Sequence, residues 1–120
     1  MKQTRLILAL FLWLLPCPLN ASEVSFLKFC EYLEMDSEDL SKDAKAVTIS
    51  CVAFIKGVIE THAAMVLEKK IEPQFCKPPR ISYGKVGLMY VDYAGNHSRK
   101  SFQSEAEFLL QALKAAYPCN

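Results

Sequence analysis

The spacing of the cysteines constrains this chain more than any other feature. Five cysteines occur in 120 residues, and the four that follow residue 21 are widely separated along the chain. Zinc sites usually take their ligands in close pairs, whereas an even number of cysteines in a small exported domain is typical of disulfide bonds. We therefore expect two disulfide bonds among Cys30, Cys51, Cys76 and Cys119, and no metal site.

The N-terminal segment has the plan of a signal peptide. Lys2 and Arg5 form a short basic region, residues 6–15 form an apolar run, and Pro16 ends that run before the small residue Ala21. The run is too short to cross a bilayer, which takes about 20 residues. A basic start, a short apolar region and a small residue at the cleavage position together favour export over a buried core helix.

The sequence therefore predicts a removed segment, residues 1–21, and a mature domain, residues 22–120. Cys17 lies in the removed segment and would be discarded with it. A lipid-modified cysteine is not expected there, because that processing needs a small residue before the cysteine and this chain has Pro16. The mature chain keeps 12 basic and 13 acidic residues, a formal charge of −1. Nucleic acids and anionic membranes attract basic proteins, so neither is an expected partner. With no second long apolar run recognised, we expect a soluble domain without stable membrane insertion, in an oxidising compartment outside the cytoplasm.

Apolar residues recur at helical spacing in four segments. We expect an all-α domain, a small disulfide-bonded bundle of about four helices. Ser104 and Glu107 have the spacing of a capping box at the start of the last helix. Three prolines exclude a helix from the connection of residues 72–81. The expected helices cover residues 23–33, 43–69, 82–93 and 105–117.

The order of the helices favours one disulfide pairing. If successive helices are antiparallel, the end of the first lies near the start of the second, which brings Cys30 toward Cys51. The start of the third helix and the end of the fourth then share one pole, which brings Cys76 toward Cys119. Four cysteines allow three connectivities, so sequence alone leaves the pairing open.

Residues able to carry chemistry are few. His62 lies on the apolar stripe of the second helix, and we interpret it as a core or half-buried histidine. His97 lies in a polar loop, and the acidic residues between positions 31 and 43 lack the spacing of a calcium loop. With four cysteines paired and no catalytic motif present, we expect no catalytic residue, no cofactor and no enzyme activity. Such a domain is expected to work by binding.

Three short segments around the cysteines share a pattern with one known family. Residues 51–58 read C-V-A-F-I-K-G-V, residues 75–78 read F-C-K-P, and residues 112–119 read A-L-K-A-A-Y-P-C. They resemble the start of the long helix, the F-C-x-P connection and the C-terminal ending of the Rap/Tai immunity proteins. The chain departs from that pattern at Ala53, where the family commonly has glycine, and at Ser98, where it often has proline.

The resemblance implies a periplasmic protein that binds and blocks a peptidoglycan amidase delivered by type VI secretion. In related complexes a helix and a protruding loop near the later helices cover the active-site cleft of the amidase. Some members act as dimers, so a homodimer is a further expectation. Carried over to this chain, the candidate partner-binding residues are Tyr90, Tyr93, Asn96, His97, Ser98 and Arg99.

Two other functions fit the same residues. An envelope structural or adaptor domain without a toxin target would need the same export and the same disulfide bonds. A periplasmic acid-stress chaperone would also be small, helical and disulfide-bonded, but a net charge of −1 with two histidines gives little reason for a sharp switch near neutral pH. Capture of a single secreted amidase would distinguish the immunity function from both.

Overall fold

The computed structural model describes residues 25–120, and this part of the chain contains four α-helices and no strand. Single turns of 3-10 helix follow the first and third of them, at Tyr32–Glu34 and Arg99–Ser101. This architecture confirms the expected all-α bundle, whereas the predicted signal segment lies outside the described residues. The helices are α1 (Phe26–Glu31), α2 (Lys42–Leu67), α3 (Tyr83–Asn96) and α4 (Glu105–Ala116).

Serine side chains begin three of the four helices. The hydroxyl of Ser41 accepts the amide hydrogen of Ala44 at the start of α2 (3.1 Å), and Ser82 caps α3 in the same way. At the start of α4, Ser104 accepts from the Glu107 amide at 3.1 Å, as the capping-box spacing predicts. The Glu107 carboxylate reaches back to the amide of Gln103 at 2.8 Å. These bonds satisfy amides that have no partner inside the helix.

The core is built from one face of each helix and from the connection between α2 and α3. The Tyr90 and Phe108 rings meet edge to face in its centre, with centroids 5.8 Å apart. Gly87 lets α3 approach closely, because a Cβ at this position would overlap Leu33. The buried apolar residues are Cys30, Cys51, Ile55, Ile59, Phe75, Val86, Tyr90, Phe108, Leu109, Ala112 and Leu113.

Two disulfide bonds close the bundle. Cys30 is joined to Cys51, which ties α1 to α2 inside the core. Cys76 is joined to Cys119, which ties the connection before α3 to the C-terminal end of the chain. The Cys76 amide also donates to the Tyr117 carbonyl at 2.9 Å. This is the pairing that the helix order favoured.

Helix α2 is a second long apolar segment that the sequence reading did not recognise. By length and composition it could cross a membrane, with a mean hydropathy of 1.5 over its most apolar window. Only 22% of that window is buried. The face bearing Cys51, Ile55 and Ile59 nevertheless packs into the core, and Lys56 and Glu60 lie near the middle of the helix. A core helix passes the same test of length and composition, so this segment alone is weak support for a membrane span.

Candidate partner-binding surface

At the end of α3, exposed polar side chains lie next to the aromatic ring of Tyr93. The Tyr93 ring packs against Phe108 in the core and stacks on the His97 ring, whose centroid is 3.8 Å away and nearly parallel. The His97 Nδ1 atom lies 2.9 Å from the Tyr93 carbonyl oxygen, so the imidazole is held at the helix end. The Asn96 amide donates to the Asp92 carbonyl at 3.0 Å. Asn96, His97 and Ser98 are exposed.

Tyr90 does not belong to this surface, which corrects the expectation carried over from the family resemblance. Its side chain is fully buried, and its hydroxyl lies 3.4 Å from the Glu105 carboxylate, to which it donates. Burial is the main reason that the pKa of the Tyr90 hydroxyl lies well above its usual range. Tyr90 and Tyr93 are one helical turn apart, but only Tyr93 reaches the edge of the bundle. Tyr90 therefore stabilises the fold and cannot contact a partner.

Arg99 is part of the loop but is held by contacts within the protein. Its guanidinium donates to the Ser25 hydroxyl at 3.1 Å and lies 3.7 Å from the Glu105 carboxylate. About a third of the Arg99 side chain remains exposed, 32%. The structure therefore brings Asn96, His97, Ser98 and Arg99 together at one end of the bundle, with Tyr93 beneath them.

Ser98 shows what the departure from the family pattern does in this chain. Its hydroxyl lies 3.4 Å from the Lys100 amide, from which it accepts a hydrogen bond at the start of the 3-10 turn Arg99–Ser101. Proline at this position would remove that acceptor and the backbone amide hydrogen. The loop keeps a defined turn here by a side-chain cap.

Glu105 lies beside this loop and was missed by the sequence reading. Its side chain is only 10% exposed, and its carboxylate accepts the amide hydrogen of Phe26 at 3.0 Å and that of Leu27. These partners are nearly 80 positions away in the chain, so no local spacing signals them. A carboxylate at the positive end of a helix is stabilising. Glu105 therefore supplies the cap for α1 that the Ser25 side chain does not.

His62 is a structural residue, as its place on the apolar stripe predicts. The side chain is 8% exposed, and its ring stacks on Phe75 with centroids 4.3 Å apart. The Nε2 atom accepts the Gln74 amide hydrogen at 3.1 Å, which fastens the connection after α2 to that helix. Burial lowers the pKa of His62, so the neutral imidazole that this hydrogen bond requires is favoured.

A concave surface, separate from the loop at the end of α3, lies between α2 and α4. This open groove has a volume of about 400 Å³ and is mainly apolar. The sequence reading did not find it, because periodicity shows which face of a helix is apolar but not how far neighbouring helices diverge. The groove is lined chiefly by Phe54, Val58, Met65, Ile71 and Leu110.

Within residues 25–120 no cluster of three histidine, cysteine or carboxylate side chains could hold a metal ion.

The comparisons with known proteins decide the family. The family described as Rap1a immunity proteins matches residues 22–119, nearly the whole predicted mature domain. The chain belongs to the Rap1a immunity protein family. This confirms the resemblance carried by the segments around the cysteines. The comparisons with curated proteins and with solved structures gave no match.

Membership of the family supports an immunity function. An immunity protein implies a protein effector as its partner, and such families are generally not enzymes. The exposed end of α3 and the groove between α2 and α4 are two candidate surfaces for such a partner among the described residues.

Proposed function

We propose that this protein is a periplasmic immunity protein that binds and blocks a peptidoglycan amidase toxin delivered by type VI secretion. The observation that carries the proposal is the family match over residues 22–119. The amidase as target follows from the resemblance of the cysteine segments to Rap/Tai proteins, and it is the part of the proposal that needs an experiment.

The geometry of the loop supports a blocking role. Asn96, His97 and Ser98 are exposed at the end of α3, and the His97 ring stacks on Tyr93, which itself packs against Phe108 in the core. A protrusion that is already ordered loses less conformational freedom on binding than a flexible loop. The imidazole and the amide supply hydrogen-bonding groups that could meet polar atoms in the cleft of an enzyme.

The covalent structure supports an oxidising location. Disulfide bonds persist in the periplasm and outside the cell, whereas the cytoplasm keeps thiols reduced. The pairs Cys30–Cys51 and Cys76–Cys119 both have geometry compatible with a bond. Together with the predicted signal segment, these bonds favour a periplasmic protein.

The experiment is capture of the partner. The oxidised mature domain, residues 22–120, is immobilised and exposed to proteins secreted by the source strain, and bound proteins are identified by mass spectrometry. We expect one peptidoglycan amidase at near-stoichiometric yield. Capture of nothing specific from a strain shown to secrete such amidases would contradict the proposal and favour an envelope domain. Broad capture of unfolded proteins at acidic pH alone would contradict it in favour of a chaperone.

A further inference from the structure

We infer that Glu105 is a positioning residue that couples the N-terminus of α1 to Arg99 and so holds the candidate partner loop in one arrangement. The inference rests on the proposed function only where it names this loop as the partner surface. The coupling itself is a property of the folded domain and can be measured without a partner.

The carboxylate of Glu105 occupies a site enclosed by three elements. It lies in the first turn of α4, accepts hydrogen bonds from the first amides of α1, and receives the hydroxyl of Tyr90 from α3. Its side chain is 10% exposed, so these contacts are largely shielded from water. A charged acceptor in such surroundings forms stronger hydrogen bonds than a neutral one.

Helix α1 depends on this carboxylate for its beginning. The helix has six residues, and a helix that short is not stable by itself. Ser25 occupies the N-cap position without making a side-chain cap. The amides of Phe26 and Leu27 are therefore satisfied by Glu105 alone among the contacts described. Loss of the carboxylate would leave the start of α1 without its acceptor.

The same carboxylate reaches the loop through Arg99. The guanidinium lies 3.7 Å from Glu105 and donates to the Ser25 hydroxyl at 3.1 Å. That hydroxyl in turn lies 3.4 Å from Glu105 and donates to it. Ser25, Arg99 and Glu105 thus contact one another, and these contacts join the start of α1 to the last candidate residue of the loop. Disturbing one member is expected to loosen the other two.

Such coupling has a consequence for binding. Only molecules whose loop has the binding arrangement can bind the partner directly. The apparent affinity is therefore higher when a larger fraction of the molecules has that arrangement. Only 10% of the Glu105 side chain is exposed, so we expect it to act on a partner chiefly through Arg99 and the loop. A substitution at Glu105 should therefore change loop order first and affinity as a result.

The test is amide hydrogen exchange of the intact oxidised domain carrying Glu105→Gln. The probe is the Phe102 amide, which donates to the Arg99 carbonyl at 3.1 Å and so reports the turn that contains Arg99. The Leu113 amide, inside α4, reports global unfolding. We expect exchange at Phe102 to become about tenfold faster, beyond any change at Leu113, since the ion pair with Arg99 is lost and the charged acceptor becomes a neutral one. Equal changes at both amides would show a merely structural role and overturn the inference.

The matched control is Glu60→Gln, which makes the same chemical change and also replaces the charged acceptor of a hydrogen bond between helices by a neutral one. The Glu60 carboxylate accepts from the Tyr83 hydroxyl at 2.6 Å, away from the loop. Exchange at Phe102 should stay within about twofold of the unmodified protein in this variant. An equally fast Phe102 amide in the control would also overturn the inference, because the effect would then not depend on the contacts of Glu105.

A second variant keeps the inference testable if Glu105→Gln does not fold. Arg99→Gln should speed exchange at the Leu27 amide severalfold, because coupling between two sites acts in both directions. An unchanged Leu27 amide would overturn the inference. Capture of partners is separate from both measurements. If Phe102 and Leu27 respond as expected but no amidase is captured, the coupling stands and the proposed function fails.

Discussion

Two glycines of this chain have opposite surroundings. A Cβ on Gly87 would overlap Leu33 and lie 3.3 Å from both the Cys51 sulfur and the Ile55 side chain. A Cβ on Gly57 would meet nothing within 4 Å. Of these two glycines, Gly87 therefore allows a close contact between helices and Gly57 does not. Both positions are interior to helices, so spacing alone could not tell which of them faces the core.

Alanine at these two positions should change stability in opposite directions. Gly87→Ala must displace Leu33 in a closed core and should destabilise the domain by about 1–3 kcal/mol. Gly57→Ala should stabilise it by up to about 1 kcal/mol, because alanine favours the helix. Urea denaturation of the oxidised proteins measures both. A Gly87→Ala variant as stable as the unmodified protein would contradict the packing described here.

His62 should make stability depend on pH. Its pKa is lowered in the folded state by burial, so the unfolded chain binds the proton more readily. The contribution of the neutral imidazole is complete above the unfolded pKa of about 6.5 and is lost as the pH falls toward the lowered folded value. The free energy of unfolding should therefore decrease less between about pH 7.5 and about pH 5.5 in His62→Gln than in the unmodified protein. Equal decreases would show that His62 does not titrate in this way.

Helices α2, α3 and α4 could be predicted because each carries a long apolar stripe and a serine at its start. Their observed bounds, Lys42–Leu67, Tyr83–Asn96 and Glu105–Ala116, lie within a few residues of the expected ones. Among the described residues, helix α1 begins at Phe26 and ends at Glu31, whereas the expected helix covers residues 23–33. Its start depends on Glu105, a contact between distant positions that no local pattern contains. Tyr90 is a different case, because its helical spacing from the buried Val86 is that of a core residue and only the family resemblance placed it on the binding surface.

The two disulfide bonds should differ in their resistance to reduction. Cys30 and Cys51 are fully buried, whereas Cys76 and Cys119 are exposed. Thiol attack requires access to a sulfur atom. Limited dithiothreitol treatment of the folded protein should therefore open the exposed pair first, as alkylation and mass spectrometry would show. In denaturant, as the control, the difference should disappear. Earlier opening of Cys30–Cys51 in the folded protein would contradict the described core.

The loop at the end of α3 should carry more of the binding energy than the apolar groove. Asn96→Ala combined with His97→Ala removes exposed polar groups and should weaken binding of the captured amidase at least about tenfold. Met65→Gln in the groove serves as the control and should change affinity less than about twofold. Titration calorimetry measures both. If only Met65→Gln weakens binding, the partner surface lies between α2 and α4.

The described domain is a helical bundle cross-linked by two disulfide bonds, and these cross-links could be predicted from its cysteines. One disulfide bond joins α1 to α2, and the other joins the connection before α3 to the C-terminal end. The fold and family then follow from patterns spread over the chain, whereas the partner depends on a few exposed residues. Shape and polarity at Asn96, His97 and Ser98 do not specify a target by themselves.

The central claim is that this domain blocks an amidase. The most direct measurement titrates the oxidised mature domain into the captured amidase while the release of peptidoglycan fragments is followed. We predict that activity falls in proportion to added protein and is lost at one domain per enzyme molecule, with the Asn96 and His97 double variant requiring a large excess. Full amidase activity in the presence of excess bound domain would contradict the account.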